Sequence, residues 1–380
     1  MKNLKNIYNY FIFLSVFIFI CCKVYSAETE SKEAEIAALK GHFVQGMQKL
    51  DQNDLKTAEE EFNKAIQLNK KSPYGYTGMA FLEMTRSNYK KALKHVGKAL
   101  KYDKNFVAAY AAKGRIITVR KHGTKWFEEA LIPFGKALSL DSDNQMVLFF
   151  VAECYLKAQQ HQVALEYLEK ALEHDGYYTK KAQERQTLVT KIIRAKLLSE
   201  RGGYIALDDK IDRSDLCILI NNELRLKELL NLQRFSLFEE IYNSDYKPKE
   251  KIKIPPDLTN NNGKDDVLDI IALHITDIDI YPNGYFFPDR VVTRAQFAMV
   301  IQEIMVMVKD DPTLGTRYIG ADSPFSDVHP DYYAFNAIVL CVEKGIMETD
   351  TEAGLFGTNG TVSGSDAILM FRALEESLKE

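Results

Sequence analysis

The sequence predicts a mainly α protein. A solenoid of paired helices fills the N-terminal half, and a separate bundle of helices with short extended segments follows it. Three observations predict this. Small residues recur on a ladder: Gly46, Ala80, Gly114 and Ala152 step by 34, 34 and 38 residues. Two further ladders, Ala58, Ala92, Ala130, Ala164 and Ala65, Ala99, Ala137, Ala171, step by 34, 38 and 34. Charge then changes along the chain: the whole carries −4, but residues from 255 onward hold 8 basic and 21 acidic side chains. A fixed period in this range marks stacked supersecondary units, and a shift in charge marks a different module.

The first 26 residues read as an export signal. Lys2 and Lys5 form a basic start, Ile12 to Ile20 is apolar except for Ser15, and Val24-Tyr25-Ser26 before Ala27 offers a small-residue cleavage site. The apolar run is shorter than the ~20 residues a bilayer crossing needs. Lipidation at Cys21 or Cys22 and an uncleaved N-terminal anchor remain as alternatives, and these are the only routes to a membrane that the sequence offers. Beyond this segment stand Cys154, Cys217 and Cys341, odd in number and far apart, so buried free thiols are expected rather than a disulfide framework.

From 35 to about 200 each unit carries two helices. The second helix shows apolar residues at i, i+4, i+7 and i+8, as in Ala58, Phe62, Ala65, Ile66 and Ala92, Val96, Ala99, Leu100. Small residues where helices cross let their backbones approach. The third unit is four residues longer, which places an insertion at Lys121-His122-Gly123-Thr124. Trp126 beside it is expected to pack in the core. A helical pattern from Lys180 to Leu198 is expected to cap the last unit.

These residues resemble the tetratricopeptide repeat, over about 140 residues and four units. Tyr89-Lys90-Lys91-Ala92-Leu93 through Lys98-Ala99-Leu100 carries the likeness, as does Val163-Ala164-Leu165 through Lys170-Ala171-Leu172. The family's usual Pro after the second helix is missing at Lys70, Lys104 and Ser142. The resemblance implies a concave groove lined by the first helices, here Phe43, Met47, Tyr74, Phe81, Met84, Arg115, Met146 and Phe149. Aromatic and methionine side chains suit an adaptable groove for a protein partner. Inter-repeat core is the competing role for each.

Residues 203–380 follow another pattern. Asn283-Gly284 marks a turn, and Thr293 with Gln296 three residues on has capping-box spacing. Phe325-Ser326-Asp327-Val328, an apolar helix, Gly345-Ile346 and a last helix follow. This part resembles the surface-layer homology module, which opens on Phe-x-Asp-Val and closes on a Thr-Arg-Ala-Glu-like cap. Residues about 255–308 match the closing half, and 324–378 the opening half. Ile211-Asp212-Arg213-Ser214-Asp215-Leu216 looks like the closing half of a degraded first copy. The resemblance implies a pseudo-threefold bundle whose grooves bind an anionic cell-wall polysaccharide through the cap arginine, hence Arg294 with Thr293, then Arg213. Gly364 stands where the third arginine belongs. The stretch Lys247 to Asp266, with Pro255-Pro256, reads as a solvent-exposed connection.

No phosphate loop, zinc motif, Cys-x-x-Cys or nucleophile elbow occurs, so neither an enzyme nor a cofactor or metal site is expected. Asp277-Ile278-Asp279 and Asp141-Ser142-Asp143 lack the rest of a calcium loop. No basic block argues for nucleic acid. The expectation is an exported envelope scaffold: a protein partner in the groove, wall polymer on the acidic modules. The alternative is an assembly protein whose second module type binds protein rather than glycan.

Overall fold

The computed structural model describes residues 31–230, 254–349 and 353–379. The expected export signal lies outside them. The chain divides into two compact units: Met1–Ala158 with Glu166–Ala182, and Gln159–Leu165 with Gln183–Glu380. Among the described residues there is no strand, only two isolated bridges, and no helix is long and apolar enough to cross a membrane.

The first unit is built from helix pairs: α1 (31–51) with α2 (Leu55–Leu68), α3 (Pro73–Thr85) with α4 (Tyr89–Tyr102), and α5 (Val107–Arg120) with α6 (Trp126–Leu140), followed by α7 (Gln145–Lys157). Every alanine of the ladders is fully buried. The glycines show why: a Cβ at Gly46 would lie 2.2 Å from the Phe62 ring, and one at Gly114 would lie 2.5 Å from the Phe134 ring. Each large ring is thus seated in the space that a missing side chain leaves, and such seating is what close-packed cores require. The insertion falls where expected, with Lys121 and Gly123 both in the left-handed region that ends α5. Trp126 departs from expectation. It is only half-buried, with the Lys121 ammonium 5.1 Å over its ring, because the inserted turn leaves one face open. Helices α8 (His161–Leu172) and α9 (Thr179–Ala195) follow in the chain, each divided between the two units.

The second unit holds the short helices α10 (Glu200–Ile205), α11 (Arg213–Leu219) and α12 (Leu226–Leu229), then α13 (Lys264–Ile271), α14 (Arg294–Lys309), α15 (Phe335–Glu343) and α16 (Gly364–Lys379). Its centre is a ring of three cap segments. Ile211 N–H donates to Val362 O (2.9 Å), Val292 N–H to Ile211 O (3.0 Å) and Arg294 N–H to Gly360 O (2.8 Å), so each segment pairs with the other two. Asp212 with Asp215, and Thr293 with Gln296, form reciprocal capping boxes at the starts of α11 and α14; Ser363 Oγ accepts from Asp366 N–H at the start of α16. Phe297 and Phe371 stack below the ring at 5.6 Å and are fully buried. The fold is therefore the expected pseudo-threefold helical bundle with short extended segments. Cys154, Cys217 and Cys341 are buried free thiols.

One expectation is corrected. Pro255, Leu258 and Gly263 are buried, so the part of 247–266 that is described, from 254, belongs to the bundle rather than to an exposed connection. Residues 247–253 lie outside the described residues.

Candidate functional sites

In the first unit a cavity of about 510 Å³ opens between α1 and the N-terminal ends of α3, α5 and α7. Of the eight expected groove residues, Phe43, Met47, Tyr74 and Met146 line it. Phe81 and Phe149 do not, and are core instead. The Phe81 ring lies 5.7 Å from Phe150, and Phe149 stacks on Tyr178 at 5.1 Å. Met84 is half-buried away from the cavity. Arg115 turns inward, with Nη1 3.4 Å from Glu153 and its guanidinium 5.4 Å over Phe150. Helical period told which side of each first helix faces its neighbours, but not which turn borders the open space.

The lining also includes Phe106, Tyr177 and Tyr178, which the sequence reading missed. Phe106 had a signal. It stands at the repeat position of Ser72 and Asn144, whose side-chain oxygens cap α3 and α7, whereas α5 starts without a side-chain cap. A capping residue is replaced by a ring facing the cavity. Beside it, Asp51 accepts a hydrogen bond from the Tyr177 hydroxyl and pairs with Lys181. Burial, then the hydrogen bond to Asp51, then the Asp51 charge, push the Tyr177 phenol upward in pKa. It stays a neutral donor.

In the second unit two turns are held in the same way. The Asp257 carboxylate accepts from Phe286 N–H (3.1 Å) and Phe287 N–H (2.7 Å); Asp327 accepts from Phe356 N–H (2.9 Å) and Gly357 N–H (2.8 Å). The cap arginines close the brackets. Arg213 donates from Nε to Phe286 O (3.0 Å) and through its Nη atoms to Asp277 O and Asp279 O, with its guanidinium 4.5 Å over the Phe286 ring. Arg294 donates to Phe356 O (3.0 Å) and Glu348 O (2.6 Å), 4.6 Å over the Phe356 ring. The two differ in exposure. Arg213 is 2% exposed and its fork is taken up by carbonyls, so it braces the turn and presents no face to a polymer. Arg294 is only partly buried, as is Thr293 beside it. Gly364 has no arginine because none fits: a Cβ there would lie 1.8 Å from Ile205 O.

Residues 324–368 match the S-layer homology domain. The matched segment runs from just before Phe325 into α16 and contains Asp327, the Phe356–Gly357 turn it holds and Gly364, whereas Arg294 lies before it. Asp257 and Arg213 build the same arrangement in the preceding segment. No curated protein matches the chain. Among solved structures it is similar to TTC0263, a thermophilic tetratricopeptide-repeat protein of Thermus thermophilus, at 13% identity over 49% of this chain and 91% of that one, with a TM-score of 0.36. It is also similar to PilF of Pseudomonas aeruginosa, at 18% identity over 52% and 86%, with a TM-score of 0.34. The helix pairs and their small-residue contacts, not these likenesses, make the first unit a tetratricopeptide-like solenoid.

Proposed function

We propose that this protein is a non-enzymatic scaffold of the cell envelope, exported by its N-terminal segment. Its S-layer homology part attaches to wall polysaccharide, and its solenoid holds a protein partner. The observation that carries the reading is the S-layer homology match over 324–368, with the Asp–turn–Arg bracket repeated in the preceding segment. Arg294, with Thr293, is the contact we assign to the polymer, since its side chain is only partly buried where it bridges the carbonyls of Phe356 and Glu348. Arg213 has a positioning role. On the solenoid, Phe43, Met47, Tyr74, Phe106 and Met146 offer an apolar socket to an inserted side chain of the partner.

Sedimentation of the full chain with purified wall sacculi tests the attachment. The wild type should pellet with them, and Arg294→Ala should stay in solution while its circular dichroism at the assay temperature still reports a folded chain. A wild type that stays in solution overturns the wall reading. Photo-cross-linking from position 146 tests the socket, and a loss of adducts on Tyr74→Ala supports it.

A further inference from the structure

The turn held by Asp257 carries a feature its counterpart lacks. Phe287 occupies the place of Gly357: both N–H groups bond to the bracketing aspartate and both residues have positive φ, +58° and +76°. Glycine takes this conformation freely, whereas a bulky side chain is strained in it. Phe287 is also 40% exposed, and Tyr285 beside it is 43% exposed. The two rings stack at 5.7 Å with 25° between their planes. Strained backbone and exposed apolar surface both work against folding, and strain of this kind collects at functional sites. The counterparts in the next module, Leu355 and Gly357, form no such pair of rings.

The rings floor a groove of about 440 Å³ whose walls include Asp257, Asp289 and Arg290. We infer that this groove binds an uncharged hexopyranose chain, a contact separate from the Arg294 edge. The inference rests on the reading that this unit faces wall polymer. Rings in near-parallel, offset planes leave aromatic surface exposed, which the apolar C–H face of a sugar ring covers. Asp289 and Arg290 in the lining supply an acceptor and a donor for hydroxyls, with one Arg290 N–H held on the Tyr281 hydroxyl. Two acids against one base disfavour an anionic chain. A cage for a cation is not formed, because the third ring, Tyr281, is already flanked by Arg213 and Arg290 at 5.0 and 5.6 Å.

Calorimetric titration of the full chain with a β-1,4-linked N-acetylglucosamine pentamer tests this, with a galacturonate pentamer as the anionic arm. The neutral pentamer should bind and the anionic one should not. Phe287→Gly copies the Gly357 turn, so it should keep or raise the melting temperature while weakening binding about tenfold. Neutral binding that is absent, or unchanged in Phe287→Gly, overturns the inference. So does ring-dependent self-association in sedimentation velocity, which would make the rings a contact between copies. Retention on sacculi is scored separately: sacculi bound but pentamer ignored removes the platform and leaves the anchor, whereas neither bound removes both.

Discussion

The guanidinium of Arg213 lies 4.5 Å above the ring of Phe286 and takes that residue's carbonyl oxygen at 3.0 Å. A residue at a helix start thereby fixes a turn more than seventy positions away. Three charge-assisted bonds converge on one planar fork, a geometry that a lysine cannot reproduce. Arg213→Lys should therefore destabilise the second unit by about 2 kcal/mol. Hydrogen exchange should show the loss first at 277–286, and a variant with unchanged protection there would refute the bracing role.

Glu223 is fully buried and accepts from Leu198 N–H, Ser199 N–H, Ser199 Oγ and the Arg372 guanidinium at 2.7 Å. Removing one partner of a buried pair leaves the other charge uncompensated. Glu223→Ala should cost about 3 kcal/mol. Because the pair is shielded, the loss should change little between about 0.05 and 0.5 M salt, whereas a surface pair would be screened over that range. Urea unfolding at both salt concentrations checks this.

Two glycines of the solenoid make a matched test. Gly114→Ala drives a methyl to within 2.5 Å of Phe134 and should cost about 1–3 kcal/mol. Gly135 lies inside α6 with nothing within 4 Å of an added Cβ, so Gly135→Ala should gain about 0.5–1 kcal/mol. Thermal melts that rank the two the other way would contradict the packing described.

Asp277 is pushed up to about 6, mostly by burial and then by Glu303, while Arg213 opposes the shift. One of its carboxyl oxygens, Oδ2, has no hydrogen-bond partner among the described residues. A carboxyl whose folded value is raised gives stability that is full below its unfolded value near 4 and is lost as pH rises through about 6. Melting temperature should fall between about pH 4 and pH 7. Asp277→Asn should shrink that fall without abolishing it, since Asp212 is also raised to about 6, by burial first. An unchanged pH profile in the variant would count against it.

The repeats were legible because packing at helix crossings tolerates only small side chains, and four units repeat the demand. The cap segments were legible too, since a reciprocal cap needs defined residues three apart. Asp257 was not. Pro255-Pro256-Asp257-Leu258 lacks the phenylalanine of Phe325-Ser326-Asp327-Val328, and prolines suggested a connector. The signal was distance: Asp257 to Phe286 and Asp327 to Phe356 both span 29 residues. The groove was half legible. Periodicity places Phe81 and Phe149 on the same side as Tyr74 and Met146, but depth along the helix decides between core and cavity. The burial of Arg213 was hidden because a motif residue is written the same way whether its fork meets carbonyls or solvent.

The ring of cap segments joins Ile211 to Val362 and Gly364 to Asp208. The second unit cannot close until residue 364 has left the ribosome, so its earlier helices wait, unlocked, for a segment made last. On the export route proposed above, such late locking would keep the chain passable for most of its synthesis and defer the final shape to the far side.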